Sequence, residues 1–230
     1  MTSSIADNRA PGTVLITGAS RGLGRALADA YAAAGWRVIA CMRTVPAGIA
    51  GQPLDVADAA SIEALGRRLE GEAIDIVINN AAVRGDVGGL PSLDTDDFLE
   101  VMRINALAPL LIARALEANL LAGQRRVLVN ISSRAGSLAE GTLDDDDGDY
   151  AYRCSKAALN MVTVKLAQDF RANGISVISL HPGWVRTDMG GEEARLGVDD
   201  SVRGLTALIS AATMADTGSF RAYDGRTISW

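Results

Sequence analysis

The sequence alternates short apolar runs with longer amphipathic segments, and this alternation constrains the fold more than any other feature. The apolar runs occupy residues 13–17, 37–42, 52–55, 74–79, 126–131 and 175–180. The segments between them have helical periodicity, and several begin at a capping Asp or Thr and end at Gly. Strands that are apolar throughout are typical of a parallel sheet covered by helices on both faces. We therefore predict a doubly wound α/β domain with about seven parallel strands.

Residues 1–230 are predicted to form a single domain, because no linker, internal repeat or shift in composition divides the chain. Residues 1–12 contain no apolar core of signal-peptide length and are predicted to be a flexible N-terminal tail. No apolar run reaches the roughly 20 residues needed to cross a bilayer, so we expect no membrane partner. Cys41 and Cys154 are too few for a disulfide framework, although one bridge stays open. We expect reduced thiols in a cytoplasmic protein.

The charge balance argues against nucleic acid as a partner. The chain has 22 Lys and Arg against 28 Asp and Glu, a formal net charge of −6, whereas nucleic acid requires a concentrated positive face. Six of the acids lie within residues 140–149, and the rest of the chain carries as many acids as bases. We interpret this acidic stretch as a solvated insertion. His181 is the single histidine, so no metal site is predicted.

A glycine-rich turn follows the first predicted strand. Glycines let the backbone approach a pyrophosphate closely, and the helix that starts there presents free N–H groups to negative charge. The spacing differs from the G-x-G-x-x-G fingerprint, but the turn lies where a βαβ unit places that fingerprint. We predict that it binds a dinucleotide through Gly18, Ser20, Arg21, Gly22, Leu23 and Gly24.

The same turn also fits the G-x-S-x-G nucleophile elbow of α/β-hydrolases, with Ser20 as the nucleophile. Ser20 would need His181 as its base, because the chain has no other histidine. In α/β-hydrolases the elbow normally follows several strands, and here it follows the first one. A serine hydrolase is therefore the less favoured alternative.

The second candidate site is the pair Tyr152 and Lys156. Residues four apart share one face of a helix, so the phenol and the ammonium can project into a common site. A nearby cation favours the phenolate and should lower the pKa of Tyr152 from its usual value of about 10. Lys156 is one of only two lysines among the 22 basic residues. We predict a tyrosine acid/base supported by this lysine.

The end of the second predicted strand indicates which dinucleotide binds. NAD-binding proteins of this architecture usually place a carboxylate there to bind the ribose 2′-hydroxyl. Here no acid occurs between Asp29 and Asp55, Met42 takes the expected acidic position, and Arg43 follows it. Arg21 can reach the same ribose from the glycine-rich turn. Two guanidinium groups favour a 2′-phosphate, so we predict NADP(H).

Together these motifs resemble the short-chain dehydrogenase/reductase family over nearly the whole chain. Further segments agree in order: NNAA at 79–82, Asn105, ISSRAG at 131–136 and HPG at 181–183. The runs YAYR at 150–153 and WVRTDM at 184–189 are similar to the C-factor/sniffer-like carbonyl reductase branch. The resemblance implies a Rossmann-type fold and an NADPH-dependent oxidoreductase that reduces a ketone or aldehyde to an alcohol.

The resemblance also implies the catalytic roles. Tyr152 would protonate the carbonyl oxygen, and Lys156 would lower the pKa of Tyr152 and bind the nicotinamide ribose. Ser133, which lies three residues before Gly136, would polarise the carbonyl. Asn105 would hold a water relay for protons. Ser133 and Tyr152 are further apart than is usual for the family, because residues 140–149 are inserted between them.

The remaining cofactor contacts follow from the same resemblance. The adenine would meet Asp55 and Val56, the adenosine Asn80 and Ala81, and the nicotinamide Pro182, Gly183, Val185 and Thr187. A homodimer built on the long helix and the Tyr152 helix is implied as well. A dinucleotide-sensing regulator without turnover is the alternative on the same fold, and the complete catalytic set argues against it.

Overall fold

Seven parallel strands form one sheet in this computed structural model, which describes residues 11–48, 50–141 and 148–230. The strands are β1 Thr13–Thr17, β2 Arg37–Met42, β3 Gln52–Pro53, β4 Ile76–Asn79, β5 Val127–Ile131, β6 Ser176–His181 and β7 Phe220–Ala222. Their order is β3-β2-β1-β4-β5-β6-β7, so the chain changes direction across the sheet between β1 and β4. Each neighbouring pair is parallel. The predicted fold class is confirmed, and the predicted tail lies, up to residue 10, outside the described residues.

Helices cover both faces of this sheet. They are α1 Gly22–Ala33, α2 Ala59–Arg68, α3 Thr95–Met102, α4 Ala108–Ala115, α5 Glu117–Ala122, α6 Tyr150–Asp169 and α7 Val198–Ala211. One face packs against α2, α4 and α6, where Ile112 belongs to the same apolar core as Leu15. The other packs against α1 and α7, where Leu205 joins Ile16. Successive residues of β1 therefore face opposite cores, which explains its apolar interior. Within the described ranges, no helix is long and apolar enough to cross a membrane.

The sequence pattern predicts one helix from about residue 95 to 121, bent at Pro109, and the structure interrupts this helix at two places. A π-helical turn over Arg103–Leu107 separates α3 from α4, and the Ala108 N–H bonds the Arg103 carbonyl across it. Pro109 has no N–H to donate to the carbonyl of Asn105, so the regular ladder cannot continue here. A second break at Leu116 separates α4 from α5. The prediction of an irregularity at Pro109 therefore corresponds to a π-helical turn that ends two residues before the proline.

The carboxylate of Asp75 fixes the amino ends of the three central strands, β1, β4 and β5. Oδ2 of Asp75 accepts the Thr13 N–H at 2.8 Å, at the start of β1. Its Oδ1 accepts the N–H groups of Gln124 at 2.8 Å and Arg125 at 3.2 Å, shortly before β5. Because Asp75 itself precedes β4, the side chain ties β1, β4 and β5 together at the edge opposite the carboxyl ends.

We expect Asp75→Ala to lower the free energy of unfolding by about 2–4 kcal/mol, because three backbone N–H groups lose a charged acceptor. Chemical denaturation followed by circular dichroism measures the change. The matched control is Asp169→Ala, which removes an exposed carboxylate from the last residue of α6 and should alter stability by less than about 0.5 kcal/mol. Equal, small effects in the two variants would contradict the role given to Asp75.

Candidate active site

The candidate catalytic side chains meet at the carboxyl edge of the sheet. Ser133 lies two residues after the end of β5, and the first turns of α6 carry Tyr152 and Lys156. The hydroxyl of Ser133 lies close enough to the Tyr152 phenol to lower its pKa. Nζ of the buried Lys156 lies 5.6 Å from the centre of the Tyr152 ring and donates to the Ile131 carbonyl at 2.9 Å. The structure therefore brings these three side chains into one cluster.

Ser132 and Tyr150, the nearby residues of the same types, do not belong to this cluster. Ser132 is buried and its hydroxyl donates to Oδ1 of Asn160 at 2.7 Å, whereas Ser133 faces the phenol. Tyr150 is 44% exposed, and Tyr152 is partly buried. Ser133 and Tyr152, rather than Ser132 and Tyr150, form the pair at this edge.

Asn105 lies in the π-helical turn, and its side chain is held by protein groups. Its Oδ1 accepts the Val83 N–H at 2.9 Å, and its Nδ2 donates to the Val83 carbonyl at 2.8 Å. Nδ2 also donates to the hydroxyl of Ser155 at 3.0 Å, one residue before Lys156. The amide therefore joins the loop after β4 to α6, and the proton relay predicted for Asn105 cannot depend on a free side chain.

The pKa of Tyr152 corrects one prediction. Removal of the phenol from water raises its pKa above the ordinary value, while the Ser133 hydrogen bond and the Arg84 charge oppose the rise and the Asp149 charge adds to it. Burial also lowers the pKa of Lys156 to about 8. The predicted net fall in the Tyr152 pKa is wrong in this structure, because desolvation outweighs the favourable charge. Arg84 is a nearby cation that lowers the pKa of the phenol.

The glycine-rich turn is pressed against the loop after β4. Gly18 has a φ of +67°, and a Cβ atom there would lie 2.8 Å from Cα of Ala81. A Cβ at Gly24 would lie 2.3 Å from the Gly18 carbonyl oxygen and 2.4 Å from Nδ2 of Asn80. That amide donates to the Thr17 carbonyl at 3.0 Å. Asn80 and Ala81, predicted to line the adenosine, support the turn in this structure.

The start of α1 is accessible from this turn. Gly22 has a φ of +55°, and in the described part of the chain no side chain caps the helix. Ser20 is exposed in the turn, and Leu23 is partly buried in the first helical turn. The first N–H groups of α1 can therefore receive an anion such as a pyrophosphate.

The two arginines predicted to bind a 2′-phosphate lie on adjacent loops. The Ala19 N–H bonds the Cys41 carbonyl at 3.0 Å, so the glycine-rich turn is tied to the end of β2. Arg43 follows β2 and is exposed. Arg21 is also exposed, and its Nη1 lies 2.8 Å from Oδ2 of Asp188 in the loop after β6. Arg21 is thus engaged by an exposed carboxylate, a kind of contact that contributes little to stability.

The other candidate cofactor residues lie at the same edge. Asp55 is exposed after β3 and accepts the Ala57 N–H at 3.0 Å, and Val56 beside it is partly buried. The loop after β6 contains Pro182, Gly183, Val185 and Thr187. A Cβ atom at Gly22 would lie 3.7 Å from Cγ2 of Thr187. The loops after β1 and β6 therefore lie close together at this edge.

Ser20 and His181 are not brought together. They follow β1 and end β6, which are separated by β4 and β5 in the sheet. Three strand spacings amount to about 14 Å. Burial lowers the pKa of His181 to about 4, and no hydrogen bond joins it to Ser20 in the described ranges. The geometry does not support the serine-hydrolase alternative.

Sequence reasoning missed one pair beside Tyr152. Asp149, counted above in the solvated acidic insertion, is buried and forms a bidentate ion pair with Arg84. At the other end of the insertion, Glu140 binds Arg226 at 2.8 Å. The interpretation as a solvated insertion is therefore wrong for these two residues, and Asp144–Asp147 lie outside the described residues. No local pattern marks Arg84 among the 20 arginines of the sequence.

Comparisons with known proteins agree with this arrangement. The family model described as short chain dehydrogenase matches residues 12–195. The C-signal protein of Myxococcus xanthus is 43% identical over 157 residues, which cover 68% of this chain and 93% of that protein. An NADPH-bound carbonyl reductase from chicken fatty liver has a TM-score of 0.86 and 34% identity, over 95% of this chain and 98% of that one. The carbonyl reductase Sniffer of D. melanogaster has a TM-score of 0.88 and 28% identity, over 96% and 100%.

Within the described residues, no group of three or more His, Cys, Asp or Glu is placed to hold a metal ion. The sheet order, the glycine-rich turn and the family match agree with the resemblance noted in the sequence. The chain belongs to the short-chain dehydrogenase/reductase family and to its carbonyl-reductase-like branch.

Proposed function

We propose that this oxidoreductase uses NADPH to reduce a ketone or aldehyde to an alcohol, in a reversible reaction. The observation that carries the proposal is the cluster of Ser133, Tyr152 and Lys156, at the edge of the sheet that also carries the glycine-rich turn. Similarity to an NADPH-bound carbonyl reductase supports it. In this proposal residues 1–230 act as one dinucleotide-binding and catalytic domain in the cytoplasm, on a small carbonyl or alcohol substrate. A homodimer stays a prediction.

The residues at the glycine-rich turn fit NADP(H). Close backbone packing at Gly18 and Gly24 leaves the start of α1 open to a pyrophosphate. The end of β2 offers Met42 and Arg43 where NAD-binding relatives of this architecture place a carboxylate. Arg43 and Arg21 would hold the 2′-phosphate through charge-assisted hydrogen bonds. When bound, the cofactor supplies the hydride.

Tyr152 is the proton donor in this proposal. Because its pKa is raised, the phenol is protonated at neutral pH, and Oη can donate to a carbonyl oxygen as negative charge develops there. The Ser133 hydroxyl lies beside that phenol and would bond the same carbonyl oxygen. Lys156, with a pKa of about 8, is mostly charged near pH 7 and stabilises the phenolate that remains.

Proton supply would use the backbone of Asn105. Its side-chain amide is occupied by Val83 and Ser155. Its carbonyl, in contrast, receives no N–H from Pro109, because proline has none. That carbonyl is the group in the π-helical turn through which Asn105 would hold a water near α6.

The buried lysine lowers the stability of the fold near neutral pH. Its pKa in the folded protein is about 8, below the ordinary 10.5, so the unfolded chain binds this proton more tightly. The contribution of Lys156 to the free energy of unfolding is therefore least favourable below about pH 8 and improves as pH rises towards about 10.5. A residue retained at such a cost is typical of a functional site.

Tyr152→Phe should remove nearly all reduction of a carbonyl panel, as followed by NADPH absorbance, because only the transferable proton is lost. NADPH binding, measured by fluorescence titration, should stay within about twofold of wild type. Tyr150→Phe is the matched control and should remain active. Loss of activity in Tyr150→Phe alone would show that Tyr152 is not the proton donor. A wild-type protein that binds NADPH but reduces no carbonyl would favour the dinucleotide-sensing regulator.

Wild type should have a higher kcat/KM with NADPH than with NADH. Arg43→Ala and Arg21→Ala should each raise the KM for NADPH by about tenfold or more and hardly change that for NADH, because each removes a bond to the 2′-phosphate. Arg25→Ala removes a nearby arginine on α1 that binds Asp29 at 2.8 Å, and it should change neither KM. Equal efficiency with the two cofactors in wild type would contradict the assignment.

Lys156→Met should raise the free energy of unfolding at about pH 7 while abolishing reduction. The advantage over wild type should shrink as pH rises from about 8 to 10, since the lysine is then neutral in the folded state. Urea denaturation at a series of pH values tests this. Lys165→Met, which changes the exposed lysine on α6, is the control. A Lys156→Met variant less stable than wild type at every pH would show that the Ile131 hydrogen bond outweighs desolvation.

A further inference from the structure

The loop after β4 is joined to the start of α6 by the ion pair between Arg84 and Asp149. Nε of Arg84 donates to Oδ1 of Asp149 at 3.0 Å, and Nη2 donates to Oδ2 at 2.8 Å. The Asp149 side chain is only 9% exposed, whereas that of Arg84 is 45% exposed. A bidentate pair with a buried carboxylate is stronger and more directional than an ordinary surface pair.

The backbone around Asp149 is also constrained. Asp149 has a φ of +62° and immediately precedes Tyr150, the first residue of α6. A Cβ atom at Gly148 would lie 2.0 Å from the Val87 carbonyl oxygen, so this segment is pressed against the loop after β4. The left-handed conformation is disfavoured for residues other than Gly. Contacts such as the ion pair with Arg84 must offset that cost.

Arg84 belongs to a loop that is fixed from two sides. The residue before it, Val83, is held at both backbone groups by the Asn105 side chain. Asn105 in turn donates to Ser155 on α6. The pair with Asp149 therefore completes a connection between the π-helical turn, the loop after β4 and the first turn of α6, which carries Tyr152.

Four groups act on the Tyr152 phenol from the elements around it. Arg84 reaches it from the loop after β4, Asp149 from the start of α6, and Ser133 from the loop after β5. Lys156 lies beneath the ring on α6 itself. Arg84 lowers the pKa of the phenol and Asp149 raises it. The two charges of the ion pair thus act on Tyr152 in opposite directions.

We propose that Arg84 and Asp149 are positioning residues for Tyr152, which fix the first turn of α6 and balance each other's charge beside the phenol. This inference rests on the proposed function, in which Tyr152 donates the proton. It assigns a specific role to two residues that lie outside the Ser133, Tyr152 and Lys156 cluster.

The pH dependence of kcat/KM for carbonyl reduction tests the proposal: above the titration of Lys156 near pH 8, activity falls further as the phenol loses its proton. In Arg84→Gln the unopposed carboxylate should move this fall to higher pH by about 0.5–1 unit. In Asp149→Asn the guanidinium is no longer balanced by the Asp149 carboxylate, and it should move the fall to lower pH. The double variant should return close to the wild-type position with a lower kcat, because both charges and the positioning contact are gone.

If Arg84 and Asp149 had only a structural role, the result would be different. Both single variants would then lose activity and stability together, with the fall at an unchanged pH or displaced in the same direction, and either result would overturn the proposal. Arg84→Lys keeps the charge without the bidentate geometry, so it should keep the wild-type pH position at a reduced kcat. Arg203→Gln and Asp200→Asn alter an exposed pair on α7, 2.9 Å apart, and should leave the profile unchanged.

A direct titration separates failure of this proposal from failure of the proposed function. Phenolate formation at Tyr152 is read as the difference in ultraviolet absorbance between each variant and the same variant carrying Tyr152→Phe. Opposite shifts in Arg84→Gln and Asp149→Asn would support the pair even in a protein that reduces no carbonyl. Identical titration of Tyr152 in both variants would overturn it, whatever the activity of wild type.

Discussion

The site depends on the close approach of two backbone segments at the point where the strand order reverses. The turn after β1 lies so near the loop after β4 that a Cβ at Gly18 would be 2.8 Å from Cα of Ala81. The hydroxyl of Thr17 accepts the N–H groups of Asn80 at 3.0 Å and Ala81 at 3.1 Å, which fixes that approach. This packing holds the start of α1 at the same edge of the sheet as the cluster on β5 and α6. The candidate binding residues and the candidate catalytic residues therefore share one edge.

Much of this arrangement could be predicted because burial on both faces leaves a strong trace in the sequence. Each central strand must be apolar at successive positions, and each parallel crossover brings the next carboxyl end to the same edge. The pairing of Tyr152 and Lys156 could be predicted from the sequence alone, because residues four positions apart lie on the same face of a helix. The interruption of the helix between residues 95 and 121 could be predicted only in part. Pro109 indicates an irregularity, but its form, a π-helical turn of five residues, depends on the neighbouring elements.

What could not be predicted depends on contacts between distant segments. Arg84 and Asp149 are 65 residues apart in the chain, and neither belongs to a recognisable motif. The direction in which the Tyr152 pKa shifts was predicted wrongly for a related reason. Sequence spacing reveals a neighbouring charge, but not how far the phenol has been withdrawn from water or which other charges the fold brings near it. The support of the glycine-rich turn by Asn80 likewise follows from tertiary packing.

The contact between Arg21 and Asp188 differs from the buried contacts because it joins the loops after β1 and β6 at an exposed position. Its side chains are 76% and 75% exposed, so water and dissolved ions compete with it at little energetic cost. An anion that binds the Arg21 guanidinium has to displace Asp188 first. Ionic strength, which weakens this exposed contact, therefore also sets how readily Arg21 becomes available to an anion.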